Sequence, residues 1–115
     1  MRRGQIHLID FEPTQGSAAN KRRPAVIVSN DRANASAQRL GRGVVTVVPL
    51  TSSVRTVYPF QVLLRSASTG LRVDSKAQAE QIRSISVSRI GPVLGAVELG
   101  DMELLDGAIR LHLGL

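Results

Sequence analysis

Pro24 stands at the head of Ala25-Val26-Ile27-Val28, an apolar, largely β-branched run bounded by polar residues. A residue with a fixed φ and no N–H suits the first position of a strand, and the run behind it reads as a buried strand. Arg22 and Arg23 are therefore expected at the rim of a rigid sheet. A second rim is expected where Val44-Val45-Thr46-Val47-Val48-Pro49-Leu50, apolar on both faces and so read as central, runs into Thr51-Ser52-Ser53. A guanidinium and a cluster of hydroxyls, each at the end of a core strand, are what a phosphate-handling site needs.

The remaining pattern is one of short strands and a late helix. Alternation predicts a strand over 5–11, with Ile6 and Leu8 on one face and His7, Ile9 and Phe11 on the other. Residues 12–22 have no period and carry turn formers, a loop long enough to suggest function. The second strand is expected over 25–30, followed by a short helix over 31–37 with Asn30 or Asp31 as its N-cap. Further strands are expected over 44–50, 60–64, 74–78 and 81–88, with a turn at 66–70. Leu99, Met102, Leu105, Ile109 and Leu113 share one helical stripe over 99–113. These elements predict a mainly β fold, an antiparallel curled sheet or small barrel closed by a C-terminal helix. At 115 residues the chain is expected to form one domain over 1–115. Leu104, Ala108 and Leu111 widen the apolar surface of the last helix, and a homodimer is the expected way to bury it.

The formal charge is +6, and its placement is uneven. Residues 1–89 carry fourteen basic and five acidic side chains, whereas 90–115 carry one basic and four acidic, so the positive field belongs to the first part of the chain. That charge points to a polyanionic partner; thirteen of the fifteen basic residues are arginine, an excess that either forked contacts to phosphate or the codon bias of a high-GC genome would produce. No cysteine is present, which removes disulfides, thiolate metal sites and a cysteine nucleophile, and fits a bacterial-type cytosol. Met1-Arg2-Arg3-Gly4 lacks the apolar core of a signal peptide, and no apolar run approaches the length of a membrane span.

Several chemistries are disfavoured by the residues themselves. His7 and His112 have no ligand-spaced carboxylates beside them, so no metal site is expected, and nothing in their spacing pairs them as acid and base. Ser17, Ser29, Thr51, Ser52 and Ser53 offer hydroxyls, but no histidine is placed to activate them. RNA removes that requirement, because its own 2′-OH attacks phosphorus and the protein need only orient, move protons and stabilise charge. Arginine suits stabilisation and proton donation, not the role of base. Phe11, Tyr58 and Phe60 are too few for a stacking platform; Tyr58-Pro59-Phe60 offers one base contact, with Phe60 expected in the core.

Five segments taken in order resemble the MazF/PemK toxins of bacterial toxin–antitoxin pairs, especially their mycobacterial and actinobacterial members. They are Glu12-Pro13-Thr14-Gln15-Gly16-Ser17, Arg23-Pro24-Ala25-Val26, Val48-Pro49-Leu50-Thr51-Ser52, Tyr58-Pro59-Phe60 and Glu80-Gln81-Ile82-Arg83-Ser84-Ile85. The resemblance implies an SH3-like barrel of the CcdB/PemK type and a cytoplasmic homodimer. It also implies cofactor-free and metal-independent, sequence-specific cleavage of single-stranded RNA, with inhibition by an acidic, MazE-like antitoxin. It casts Arg23 as the catalytic arginine, Thr51 as the catalytic hydroxyl and Glu80 as a base. RNA contacts are expected from Ser17, Asn20, Lys21, Arg22, Ser52, Ser53, Gln78, Gln81 and Arg83. Ala18 stands where many members carry glutamate, and Gln78 where some carry arginine. The alternative is a CcdB-like toxin that binds gyrase and cuts no RNA; the Arg23/Thr51 pair favours the nuclease.

Overall fold

The computed structural model describes residues 1–11 and 22–115. The strands are β1 (Gln5–Asp10), β2 (Arg22–Ile27), β3 (Val44–Thr51), β4 (Gln61–Leu64), β5 (Ser75–Gln78), β6 (Arg83–Ser86) and β7 (Ile90–Ala96). The helices are α1 (Asp31–Leu40), α2 (Ser66–Thr69) and α3 (Leu99–Leu113). Every pairing between the described strands is antiparallel, in the order β4-β5-β3-β2-β1-β7, with β6 also on β3. β3 is shared three ways: β2 runs along one side, while β6 (residues 44–47) and then β5 (Leu50 and Thr51) occupy the other.

The ladder does not close into a barrel, since β4 and β7 share no register among the described residues. The gap is bridged by a backbone contact instead. Gly95 in β7 lies against the Thr69 carbonyl at the end of α2, so closely that a Cβ would collide with its oxygen. Gly70, at φ +86°, caps α2 at the same point.

The central strands are apolar on both faces because each face has its own core. Ile6, Val26, Val48 and Leu50 pack with Val62, Leu64 and Ala77 under Met102, Leu105 and Ala108 of α3. On the other face Ile9, Phe11, Ala25, Ile27, Val45, Val47 and Ile85 pack under Ala37 of α1. Removing each of the Val, Ile, Leu, Phe and Met side chains among them from water is worth about 1.5–3 kcal/mol. Helix α1 starts where expected, its Asn30 Oδ1 accepting from Ala33 N–H at 2.8 Å, and ends on the left-handed Gly41. Buried Asn34 ties it to the sheet: its Nδ2 donates to the Ser29 carbonyl (2.8 Å), the Ser29 hydroxyl donates to its Oδ1, and Thr46 N–H donates to that hydroxyl oxygen (3.0 Å).

Five expectations need correction, and one strand, β7, lies outside all of them. Pro24 is the third residue of β2, which begins at Arg22; β3 joins only from Ala25, so residues 22–24 are paired on one side, where proline is tolerated. The turn at 66–70 contains a helical turn, α2, and the strand expected over 81–88 is confined to Arg83–Ser86 between 3-10 turns at Ala79–Gln81 and Val87–Arg89. β7 was not legible, because Gly91, Pro92 and Gly95 break its apolar pattern. Phe60 leaves the core to stack on Tyr58, with ring centroids 5.5 Å apart and planes 7° from parallel. In α3 the buried side is Met102, Leu105 and Ala108, whereas Leu99 is 85% exposed and Leu104, Leu111 and Leu113 also face outward.

Candidate active site

Residues directly opposite each other in an antiparallel pair point to the same face. The face that carries Ala25, Val45 and Val47 under α1 continues past the end of that core into polar residues. The β2–β3 register (Ala25↔Pro49, Val26↔Val48) continued by two residues sets Arg23 level with Thr51. Thr51 pairs in turn with Lys76, and Gln78, two residues along β5, pairs with Gln61. Arg23, Thr51, Lys76, Gln78 and Gln61 thus form one polar continuation of an apolar face.

The guanidinium of Arg23 is fixed at one nitrogen. Nη2 donates to the Leu50 carbonyl at 3.0 Å and to Gln78 Oε1 at 2.8 Å. Its Nε and Nη1 make no hydrogen bond among the described residues. Arg23, Thr51 and Ser52 line a cleft of about 360 Å³ with Pro24, Leu50, Val73 and Ser75. An apolar hollow of about 260 Å³, sharing Pro24, Val73 and Ser75 and closed by Leu71 and Leu94, adjoins it. Ser53 N–H donates to Thr51 Oγ1 at 3.2 Å, which turns the chain after β3 and leaves the hydroxyl proton free to donate.

Beyond Thr51 the chain is tethered back to the sheet. Lys76, buried in β5, donates from Nζ to the Thr56 carbonyl (2.5 Å) and lies 5.7 Å from the centroid of the Tyr58 ring. Gln61 Oε1 accepts from Tyr58 N–H (3.1 Å), and its Nε2 donates to Glu80 Oε2 (2.7 Å). Glu80 Oε1 is buried with no hydrogen-bond partner among the described residues. Sequence reading missed Gln61 and Lys76; a polar residue heading an apolar strand was the available signal for Gln61, but its partner depends on a register the sequence does not state.

The other expected site residues are dispersed. Arg22 alternates to the opposite face from Arg23 and, with Asp10 and Ser88, borders a separate hollow of about 200 Å³. Ser52 and Ser53 are exposed beside the cleft, Gln81 is exposed in a 3-10 turn, and the Arg83 guanidinium covers the Phe11 ring at 5.2 Å. Ser17, Asn20, Lys21 and Ala18 lie outside the described residues. His7 is buried and bonded through Nδ1 to the Gly91 carbonyl (2.9 Å) and through Nε2 to Gln5 (3.2 Å), a structural role. Among the described residues no three histidine or carboxylate side chains gather as a metal ion would require, and no helix is long and apolar enough to cross a membrane.

An open antiparallel sheet with a C-terminal helix, and an arginine and a threonine meeting at one cleft, define a small mainly β domain with a cleft suited to an anion. The chain belongs to the PemK-like, MazF-like toxins of type II toxin–antitoxin systems, whose family model matches residues 2–113. It is 60% identical to Endoribonuclease MazF9 of Mycobacterium tuberculosis, covering 100% of this chain and 98% of that one. It is 52% identical to Probable endoribonuclease MazF1 of the same organism over 76% of this chain and 96% of the relative. The fold matches a mycobacterial endoribonuclease solved in complex with its cognate antitoxin at a TM-score of 0.76 and 26% identity, covering 100% of this chain and 96% of that one.

Proposed function

We propose that this protein is a cytoplasmic endoribonuclease toxin that cuts single-stranded RNA at specific sequences without a metal ion and is neutralised by a cognate acidic antitoxin. The observation that carries the reading is Arg23, anchored through one nitrogen to Leu50 and Gln78, with its other N–H groups unspent among the described residues, in one cleft with Thr51. The ribose 2′-OH attacks phosphorus, the P–O5′ bond breaks, and the products are a 2′,3′-cyclic phosphate and a 5′-OH. Arg23 stabilises the charge that develops on the phosphoryl oxygens and delivers a proton to the leaving 5′-oxygen; Thr51 donates to a non-bridging oxygen. Ser52 and Ser53 extend the phosphate contacts along the cleft. Glu80 fixes Gln61, and through it Tyr58, and it is the residue assigned to take the 2′-proton, so Glu80→Gln should lower kcat.

The antitoxin segment suited to this surface pairs acidic residues, for Arg23, with an apolar side chain for the hollow between Leu71, Val73 and Leu94. The outward leucines of α3, Leu104 and Leu111, support a homodimer, which sedimentation of the wild type and of Leu111→Glu tests. The decisive experiment is incubation of purified protein with long RNA in excess EDTA. Discrete fragments with cyclic-phosphate and 5′-OH ends are expected. Intact RNA across unrelated sequences overturns the nuclease and favours a CcdB-like toxin that acts by binding gyrase.

A further inference from the structure

We propose that Gln78 is a positioning residue that acts on the reaction through Arg23. The proposal rests on the reading of Arg23 as the phosphate-stabilising group. Three observations carry it. The only side-chain partner of the Arg23 guanidinium among the described residues is Gln78, at 2.8 Å. The second acceptor, the Leu50 carbonyl at 3.0 Å, binds the same nitrogen, so the two hold Nη2 from two directions and define the plane of the guanidinium. Gln78 is itself set by the sheet, since it lies in β5 in register with Gln61 and two residues from Lys76, which pairs with Thr51.

The chemistry makes the arrangement one-way. Arginine has five donors and no acceptor, so the amide of Gln78 must turn its oxygen toward Arg23 and its NH₂ away. Nη2 is thereby spent on the protein, while Nε and Nη1, which bond none of the described residues, are left for the phosphate. A guanidinium held by Leu50 alone would swing about that single contact and lose the orientation on which transition-state stabilisation depends. The effect therefore belongs in the chemical step and not in RNA affinity.

The test compares wild type, Gln78→Met, Arg23→Lys and the double variant on a fluorescent RNA, with arginine side-chain ¹⁵N spectra of each folded protein. Gln78→Met keeps the length and removes the acceptor. It is expected to lower kcat by roughly ten-fold, the order of one hydrogen bond to a charged group, with KM within about two-fold. The Arg23 Nη signals should broaden or shift, and adding Gln78→Met to Arg23→Lys should cost much less than ten-fold. If Gln78→Met folds poorly, Gln78→Thr, suited to a strand, takes its place. A loss confined to KM, unchanged Arg23 signals, or full multiplication of the two effects overturns the proposal. Wild-type cleavage by Arg23→Lys instead overturns the assignment of the catalytic site itself, so the two failures are distinguishable.

Discussion

Thr51 and Lys76 stand opposite each other across β3 and β5, so a hydroxyl of the cleft and a buried ammonium ride on the same rung of the sheet. The ammonium reaches the Thr56 carbonyl and the Tyr58 ring, and no carboxylate pairs with it among the described residues. A buried cation so placed is weak support for stability, and its replacement by an apolar residue of similar length is close to neutral. Lys76→Met is therefore expected to change unfolding free energy by no more than about 1 kcal/mol. RNA cleavage should fall several-fold as residues 52–58 lose their tether; paired urea melts and cleavage rates check both halves.

Arg23→Ala removes the charged donor of the cleft. Loss of one such donor typically costs about 10²–10³ in kcat. Thr51→Ala removes one neutral donor and should cost about ten-fold, near the worth of a single hydrogen bond to a charged oxygen. Single-turnover rates with saturating protein measure both effects free of binding. Circular dichroism melts should keep both variants within a few degrees of the wild type.

The close approach of Gly95 to Thr69 predicts a large penalty for a single methyl group. Its neighbour is a backbone carbonyl that cannot rotate away, so Gly95→Ala must shift β7 or α2. Overpacking of this kind costs about 1–3 kcal/mol, visible as a lower urea midpoint. Gly100→Ala, where nothing lies within 4 Å of the added carbon, is the control and should not lower the midpoint.

Asp31 governs part of the acid response. The Arg3 backbone N–H, donating to its carboxylate at 2.6 Å, holds the Asp31 carboxyl below its ordinary value of 3.8, with help from the Arg2 and Arg3 charges and the Asn34 side chain and against a smaller opposing effect of desolvation. A lowered folded value means that the contribution is fully present above the unfolded value of 3.8 and is lost as pH falls through the folded one. The stability difference between wild type and Asp31→Asn should hold steady from pH 7 down to about 5 and shrink below pH 4. Melts at matched ionic strength across that range test it.

What was legible in the sequence followed from periodicity and caps. The helix over 99–113 and the Asn30 cap came from local signals that tertiary packing did not override. β7 escaped because its glycines and proline exist for contacts with other elements, Gly91 beside Leu8 and Gly95 beside Thr69, which no local pattern encodes. The helical spacing of Leu99 and Leu113 was real, but which face of α3 is buried depends on where β4 and β5 lie. At the site, Arg23 and Thr51 could be named from their strand ends and the family resemblance. The Gln78 and Gln61 bonds could not, because each joins residues 55 or 19 positions apart through strand pairing.

The anchoring of Arg23 to the Leu50 carbonyl has a consequence for descent. Leu50 is the residue before Thr51, so the guanidinium is bolted to the main chain of the very strand that carries its partner hydroxyl. A main-chain acceptor survives every side-chain substitution at position 50. The placement of the Arg23 guanidinium beside Thr51 is therefore insulated from side-chain changes at position 50, and the site proposed above can keep its geometry while the residues around it vary.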